Sequence, residues 1–514
     1  MSNIAKSAFI VMLVSVIAKV FGFIREIVLA GFYGVSSYSD AYITAANIPI
    51  VIFASIGTAL ATTFIPLFYE VRNESDNKEA MNFSNNVFNL VIIICMIIAI
   101  LGFIFTDELV KLFAIGFTGE TLIITVKLTK IFILGIIFTG LSYLMSSYLQ
   151  IKNKFTIPST IGIFKNIIII ISIILSFKMN LNIYILGYGT LIAMASEFII
   201  QYPVAYKNGY RYKFHIDIKN KYIQKMMYLL IPVLIGVTVS QINTMIDRSI
   251  ASTLVEGSIS ALNYANKLNQ FIMAIFISSI ATVMYPMLSK LSSENNNEKF
   301  NKTIVQVINS IIIIIIPVSV GAIVLASPIV KLLFQRGEFD SNATYMTSLA
   351  LIFYSIGLIG VGLREILSRT FYCLKDTKTP MKNGIICMFI NIVLNIILVK
   401  YMKHAGLAFA TSISAISSIG ILFVSLSKKI GYFGQDKIIK TTIKSIIASI
   451  LMGVIVYNIH NKISKILGIG FINESISLTL AVILGVIAYV ILVIILKVED
   501  VRFIIKKIEN KIVT

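Results

Sequence analysis

Fourteen stretches of apolar residues, most of them twenty residues or longer, succeed one another along this chain with only short polar segments between them. A helix needs about 20 such residues to cross the roughly 30 Å hydrocarbon core of a bilayer. In the first half the stretches are 8–32, 40–69, 83–105, 121–149, 157–177 and 183–204. The second half offers 227–254, 259–288, 304–326, 343–374, 381–399 and 405–427, followed by 443–458 and 476–496. Several approach 30 residues, which predicts tilt or projection beyond the bilayer. Composition excludes the alternatives. Hydrophobic residues make up 57% of the chain and charged residues 13%, against about 45–50% and 25% in soluble proteins. Too few polar side chains exist to cover a solvated surface, so soluble enzymes, disordered chains and disulfide scaffolds are excluded together. The reading is an all-α polytopic membrane protein.

Cys95, Cys373 and Cys387 lie in apolar stretches without paired spacing, and His215, His404 and His460 are isolated. They read as buried thiols and lone imidazoles, not as a zinc or redox site. Tryptophan is absent, leaving 23 tyrosines to supply any interfacial belt.

The formal net charge of +20 could suggest nucleic acid, but its distribution gives a different account. With the N-terminus inside, the cytoplasmic segments carry 27 of the 44 Lys and Arg, and the external loops carry 8. That asymmetry follows the positive-inside rule, predicts both termini in the cytoplasm, and makes a nucleic-acid partner unnecessary. The first apolar stretch is too long for a signal peptide and contains Lys19 and Arg25.

The chain also resembles itself at a distance of about 220 residues. Segment 64–87 parallels 284–307, with Pro66 opposite Pro286; 107–117 parallels 327–339; and "YLQIKNKFTIP" (148–158) parallels "FYCLKDTKTP" (371–380). Each half carries six spans, an even number, so both enter the membrane in the same sense, as a parallel repeat. The expected organisation is a six-helix bundle over 1–222, a second over 223–432, and two extra spans with a cytoplasmic tail over 433–514. Transporters are the commonest users of such repeats, and rocking one bundle against the other gives alternating access.

Apart from Lys382 and Lys444 at the cytoplasmic edges of their stretches, nine basic residues fall within spans: Lys19, Arg25, Lys127, Lys130, Lys165, Arg248, Lys267, Arg364 and Arg369. Five carboxylates accompany them: Glu26, Asp40 at a span edge, Glu197, Asp247 and Glu365. Each central charge costs about 2.5–3.5 kcal/mol on insertion scales, so it is expected to be paired, hydrated in a cavity, or functional. The basic surplus suits an anionic substrate, above all a phosphate, which arginine can bind through two parallel hydrogen bonds. Lys127, Lys130 and Lys165 lie near span ends and are expected to snorkel. Arg248 reads equally as a structural partner of a carboxylate. For Arg364, Glu365 and Arg369, local pairing and substrate binding weigh the same. Lys19, about 17 Å along the first helix, and Lys267, about 12 Å into the eighth, are too deep to snorkel easily. Arg25 lies a turn and a half beyond Lys19, and Glu26 shares the face of Lys19. The cavity is the favoured location for Lys19, Arg25 and Lys267.

Several motifs then bring a family into view. "KVFGFIREIVLAGFYGVSSYSDAYITAANIP" (19–49) resembles the opening signature of the MurJ (MviN) family, the lipid II flippases of bacterial peptidoglycan synthesis. "VSQINTMIDRSIASTLVEGSISALNYANKL" (239–268) is similar to that family's seventh and eighth helices, and 371–380 and 406–414 match its later motifs. The resemblance runs from about residue 5 to 500. It implies a bacterial cytoplasmic-membrane protein, working as a monomer among membrane lipids, that moves an undecaprenyl diphosphate-linked disaccharide-pentapeptide from the inner to the outer leaflet. By motif position Lys19, Arg25 and Lys267 would hold the diphosphate, with Asp40 matching the family's aspartate and Glu26 beside Arg25. Two of the three basic sites are lysine where many members have arginine, which weakens bidentate recognition. Many members also carry an arginine shortly after the proline matching Pro49; here 50–65 holds no basic residue, and Arg364 or Arg369 is the candidate to compensate.

The resemblance further implies a sodium site at Asp247, Asn391, Asn395 and Thr411, all oxygen-bearing, with polar contact between helices as the competing reading. No other cofactor is implied. The last two spans resemble the pair that forms a groove for the polyprenyl tail. Competing functions are a cation-coupled drug exporter of the wider MATE superfamily, or a flippase for another undecaprenyl-linked glycan. A membrane-embedded enzyme is disfavoured, because Asp107 and Glu108 in an external loop have no base, nucleophile or metal cluster beside them.

Overall fold

Within a bilayer every backbone N–H and C=O must find its partner inside the protein, and a helix achieves this locally. The apolar stretches accordingly fold as helices. The computed structural model describes residues 3–179, 182–294, 296–468 and 470–498, and among these every regular element is an α-helix. The tail expected beyond the last span, 499–514, lies outside the described residues.

In chain order the helices begin with α1 (Asn3–Tyr33), α2 (Ser37–Glu74), α3 (Asn77–Ile104), α4 (Thr106–Phe113), α5 (Gly119–Ile151), α6 (Thr156–Lys178), α7 (Tyr184–Lys207) and α8 (Lys221–Ala251). They continue as α9 (Ser258–Ser293), α10 (Asn297–Val324), α11 (Ala326–Phe334), α12 (Ser341–Ile356), α13 (Leu358–Cys373), α14 (Lys378–Ile430), α15 (Gln435–Leu467) and α16 (Phe471–Ile495). Among the described residues nine are long and apolar enough to cross a membrane alone, and α12 with α13 makes a tenth if the pair is one bent span.

Two departures from the simple stretches have local causes. The stretch 343–374 breaks at Gly357, bending by 43° between α12 and α13. A Cβ at Gly357 would collide with Ser412, whose hydroxyl donates to the freed carbonyl of Phe353 at 2.6 Å. The long α14 is two helices joined at Lys403, where φ is +50°. Gly406 permits this turn, since a Cβ there would lie 2.5 Å from the Leu398 carbonyl oxygen. The two limbs correspond to the separate stretches 381–399 and 405–427.

The internal repeat is legible in the local conformation of each half. α3 stops at Phe105 (φ −95°, ψ 27°) before the short α4, and α10 stops at Leu325 (φ −100°, ψ 17°) before the short α11. The paired loop motifs fold into the same turn. Asn153 and Lys375 both take positive φ, with Lys154 N–H donating to Leu149 O in one half and Asp376 N–H to Phe371 O in the other. Pro66 and Pro286 both lie inside helices, α2 and α9.

The helices group into two compact units, Met1–Ser260 with Arg336–Phe339, and Ala261–Gln335 with Asp340–Thr514. In the first, α2 packs on α5, α1 on α6, and α7 on both α5 and α6, while α8 runs along α2. Its core is aromatic, with Phe64, Phe68, Phe83 and Tyr148 buried together. In the second unit α10 is the hub, packed by α12, α13 and α15. α16 lies on α15, Tyr489 donates to the Ile313 carbonyl at 2.9 Å, and Lys331 pairs with Glu474. The terminal pair is thereby fastened to this unit.

Candidate functional site

The α1 helix carries the two basic residues that the sequence singles out in the first span. Arg25 donates from Nη2 to Glu26 Oε1 at 2.5 Å, and Glu26 is 3% exposed whereas the Arg25 side chain retains 24%. A buried carboxylate thus fixes one edge of the guanidinium and leaves other donors of its five-donor fork in reach of a ligand. Nearby, Tyr42 shares a hydrogen bond with Thr190 at 3.0 Å and packs edge-on against Phe132. Lys19 is exposed.

Asp40 sits in the first turn of α2, which opens on a capping box built by Ser36 and Ser39. Its carboxylate is buried, and both oxygens accept backbone N–H groups, from Gly257 at 2.8 Å and Ser260 at 2.7 Å. A carboxylate at the start of α9 complements the unpaired N–H groups and dipole of that helix end. Ser37 N–H reinforces the junction by donating to Glu256 at 2.7 Å, and Glu338 N–H donates to Gly31 O at 3.0 Å. Gly34, at φ +62°, admits the Glu338 backbone where a Cβ would collide. Asp40 therefore clasps the α1–α2 corner to the start of α9, a role that requires partners over 200 residues away.

In the second unit Lys267 is half-buried on α9 and Arg364 is exposed on α13. Arg369 binds Glu365 one helical turn earlier at 2.8 Å and stands over the Tyr285 ring at 5.8 Å. The structure thus pairs Arg369 with Glu365 locally.

Three residues of the implied cation set come together in the second unit. Asn395 donates to Asn391 Oδ1 at 3.0 Å, Asn391 reaches Thr411 Oγ1 at 3.5 Å, and both asparagines are buried. Amide and hydroxyl oxygens are the donor chemistry a hard cation takes. Asp247, in the first unit, accepts from Asn243 at 3.5 Å. Among the described residues no group of three or more His, Cys, Asp or Glu could hold a metal ion.

The three lysines expected to snorkel divide. Lys127 stands over the Tyr184 ring at 5.3 Å, and Lys130 reaches Asp107 at 4.0 Å and the Phe103 ring at 5.5 Å. These are contacts at a helix end. Lys165 instead turns inward and binds Glu197 of α7 at 3.1 Å. Snorkelling is the wrong account of it, because a half-buried partner on the next helix outcompetes the interface. No spacing rule could have found this pair.

The family profile described as "Lipid II flippase MurJ" matches residues 29–476. A probable lipid II flippase MurJ of Buchnera aphidicola subsp. Acyrthosiphon pisum is 30% identical over 489 residues, covering 93% of this chain and 94% of its own. That of Vibrio cholerae serotype O1 is 29% identical over 512 residues, covering 97% of each. A solved structure described as lipid II flippase MurJ in an inward closed conformation superposes with a TM-score of 0.81 at 28% identity, over 95% of this chain and 99% of that one. An inward-facing multidrug resistance MATE family transporter shares the fold, with a TM-score of 0.68 at 16% identity over 81% of this chain and 96% of its own.

Proposed function

The chain belongs to the lipid II flippase MurJ family, and from that premise we propose how its residues carry the family's task. It is a multi-pass membrane transporter and not an enzyme; its function is that of a lipid II flippase, serving peptidoglycan synthesis. The observation that carries this reading is the match over nearly the whole chain, joined to a first helix whose Arg25 is held by a buried acid. A drug exporter has only the fold in common with it. The experiment is depletion in the native cell, with lipid-linked precursors measured by leaflet. Lipid II accumulating on the cytoplasmic side supports the reading, whereas accumulation of a different lipid-linked glycan would reassign the substrate.

In the first unit Arg25 and Lys19 bind the substrate diphosphate, Glu26 orients the guanidinium, and Asp40 keeps the α1–α2 corner in place. In the second, Lys267, Arg364 and Arg369 supply further cationic donors. The chain crosses the membrane fourteen times with both termini cytoplasmic, divides functionally at 222/223 and 432/433, cycles by alternating access and works as a monomer. The terminal pair, whose exposed face includes Ile483, Val486 and Ile487, meets lipid and the polyprenyl tail.

Asp247, Asn391, Asn395 and Thr411 would hold sodium, which when bound supplies a fixed positive charge. Sodium should then raise the melting temperature by ordinary ligand linkage. Asp247→Asn should abolish the increment, and an equal response in both proteins would reduce these residues to helix packing.

A further inference from the structure

Within the first unit α2, α5, α6 and α7 enclose a cavity of about 300 Å³, at the small end of the range for ligand sites. Its lining joins three kinds of chemistry. Lys165 and Glu197 face each other across one side at 3.1 Å, with only 26% and 12% of their side chains exposed. Along α5 run Thr139, Ser142 and Ser146, spaced so that all three share a helical face. Gln201 ties the last two together, donating to Ser142 Oγ at 2.7 Å and accepting from Ser146 Oγ at 2.8 Å. The third component is aromatic: Phe53 and Tyr143, ring centroids 6.2 Å apart and tilted by 33°.

The rings are placed by glycines. A Cβ at Gly57 would stand 2.6 Å from the Tyr143 ring, and one at Gly140 would stand 2.9 Å from that of Phe53. Each ring lies over a helix where only glycine leaves room. Phe53 is buried, whereas Tyr143 keeps 39% of its surface exposed.

This is an arrangement for an uncharged, hydroxyl-bearing ring. The ion pair is neutral overall, so it does not attract a diphosphate as an unpaired cation would. An ammonium nevertheless carries three donors and a carboxylate about four lone-pair sites, and their mutual contact uses one of each. What remains can bind ligand hydroxyls from both sides, beside a floor of serine and threonine oxygens. Tyr143 offers a flat apolar face for the C–H side of a ring, with a polar tip. Lys165 lies nine residues into α6, about 14 Å from its start, which the proposed topology puts at the cytoplasmic surface.

We propose that this cavity is a subsite for a sugar ring of the lipid-linked substrate, with Lys165, Glu197 and Tyr143 reading its hydroxyls and its face. The inference rests on the flippase reading and adds to it a place where the glycan, and not the diphosphate, is recognised.

The test uses the purified full chain in lipid nanodiscs and two probes, lipid II and undecaprenyl diphosphate without sugar. Wild type should bind lipid II the more tightly. Tyr143→Leu should weaken lipid II binding about tenfold and leave the sugarless lipid unaffected. Glu197→Gln alone strands an ammonium and risks misfolding, so Lys165→Met is combined with it, removing both charges together; the same selective loss is expected. Variants that bind lipid II as wild type does would overturn the subsite, as would an equal loss for both probes, which marks a packing role. A wild-type protein that binds neither probe would bring down the flippase reading itself, an outcome distinct from failure of the variants.

Discussion

Arg25 owes its value as a ligand group to what holds it. A guanidinium free to rotate would lose side-chain entropy on meeting a phosphate, whereas one already bonded to the buried Glu26 has less to lose. A charge-assisted contact of this kind is worth about 1.5–3 kcal/mol. Arg25→Ala, combined with Glu26→Gln so that no buried carboxylate is stranded, should therefore lower transport by tenfold or more and fail to support growth of a flippase-depleted cell, while still reaching the membrane folded. Arg25→Lys separates charge from shape, since an ammonium offers a point charge in place of a fork; full activity in that variant would show that charge alone suffices. Outside the membrane, Asp376 shows what the same chemistry does for stability. Hydrogen bonding from Lys429 at 2.8 Å, joined by the Thr379 N–H, holds its carboxyl well below the usual aspartate range. A carboxylate depressed in the folded state stabilises above its unfolded pKa of about 4, and that contribution disappears as pH falls through the lower folded value. Lys429→Met should therefore lower the melting temperature at pH 7, and the difference from wild type should narrow as the pH falls below 4. A pH-independent difference would mean that the lysine acts through packing alone.

At the scale of elements, the chain discloses whatever is written locally. The stretch 148–158 and its counterpart 371–380 share residues and fold into the same positive-φ turn, so the repeat is legible in the residues themselves. Arg25 and Glu26 are neighbours in sequence, and their pairing is within reach of the same kind of reading. Contacts between elements are not. In lipid both the inward and outward faces of a helix are apolar, so periodicity does not say which face meets a neighbour. For that reason the Lys165–Glu197 pair, the commitment of Asp40 to Gly257 and Ser260, and the break at Gly357 all appear only in the fold. The clearest case is α3, where Asn85, Asn86 and Asn89 look in sequence like misplaced polar residues in a span. They grip the extended segment after α7 in the manner of a neighbouring strand. Asn85 donates to Arg211 O at 2.9 Å; Asn86 donates to Asp217 O at 2.8 Å and accepts from its N–H at 3.0 Å; Asn89 donates to Lys213 O and His215 O. Asn86→Leu removes both bonds to Asp217 and leaves its backbone groups to find water. Trypsin should then cut at Arg211 or Lys213 several-fold faster than in wild type, with α3 itself unaffected. An unchanged cleavage rate would show that the other two asparagines hold the segment by themselves.

For the whole molecule the governing quantity is where the charge lies, not how much there is. Lysines and arginines resist passage across the bilayer during insertion, so a ratio of 27 to 8 between the two sets of loops biases every span in the same direction. With six spans in each half, as proposed, the second half enters with the same sense as the first and the two biases add. The short loops 152–155 and 374–377 make the same turn and both carry lysine, Lys152 and Lys154 in one and Lys375 in the other, so the bias recurs at matching points of the repeat. The native thiols Cys95, Cys373 and Cys387 are all buried, which gives single introduced cysteines a low background. Lys154→Cys and Lys428→Cys should react with a membrane-permeant maleimide but be protected from an impermeant one added to intact spheroplasts. Lys178→Cys at the end of α6 and Lys465→Cys in the last turn of α15, both exposed and on the proposed external side, should react with both. The prediction is demanding because one inverted span would reverse every assignment after it, so Lys178 and Lys465 test the first half and the terminal pair separately. Protection of Lys465 with labelling of Lys178 would place the error beyond the first six spans and leave the orientation of the N-terminal bundle standing. The opposite labelling at all four positions would invert the molecule, place the substrate entrance on the wrong side of the membrane, and remove the physical basis for inward-to-outward transport.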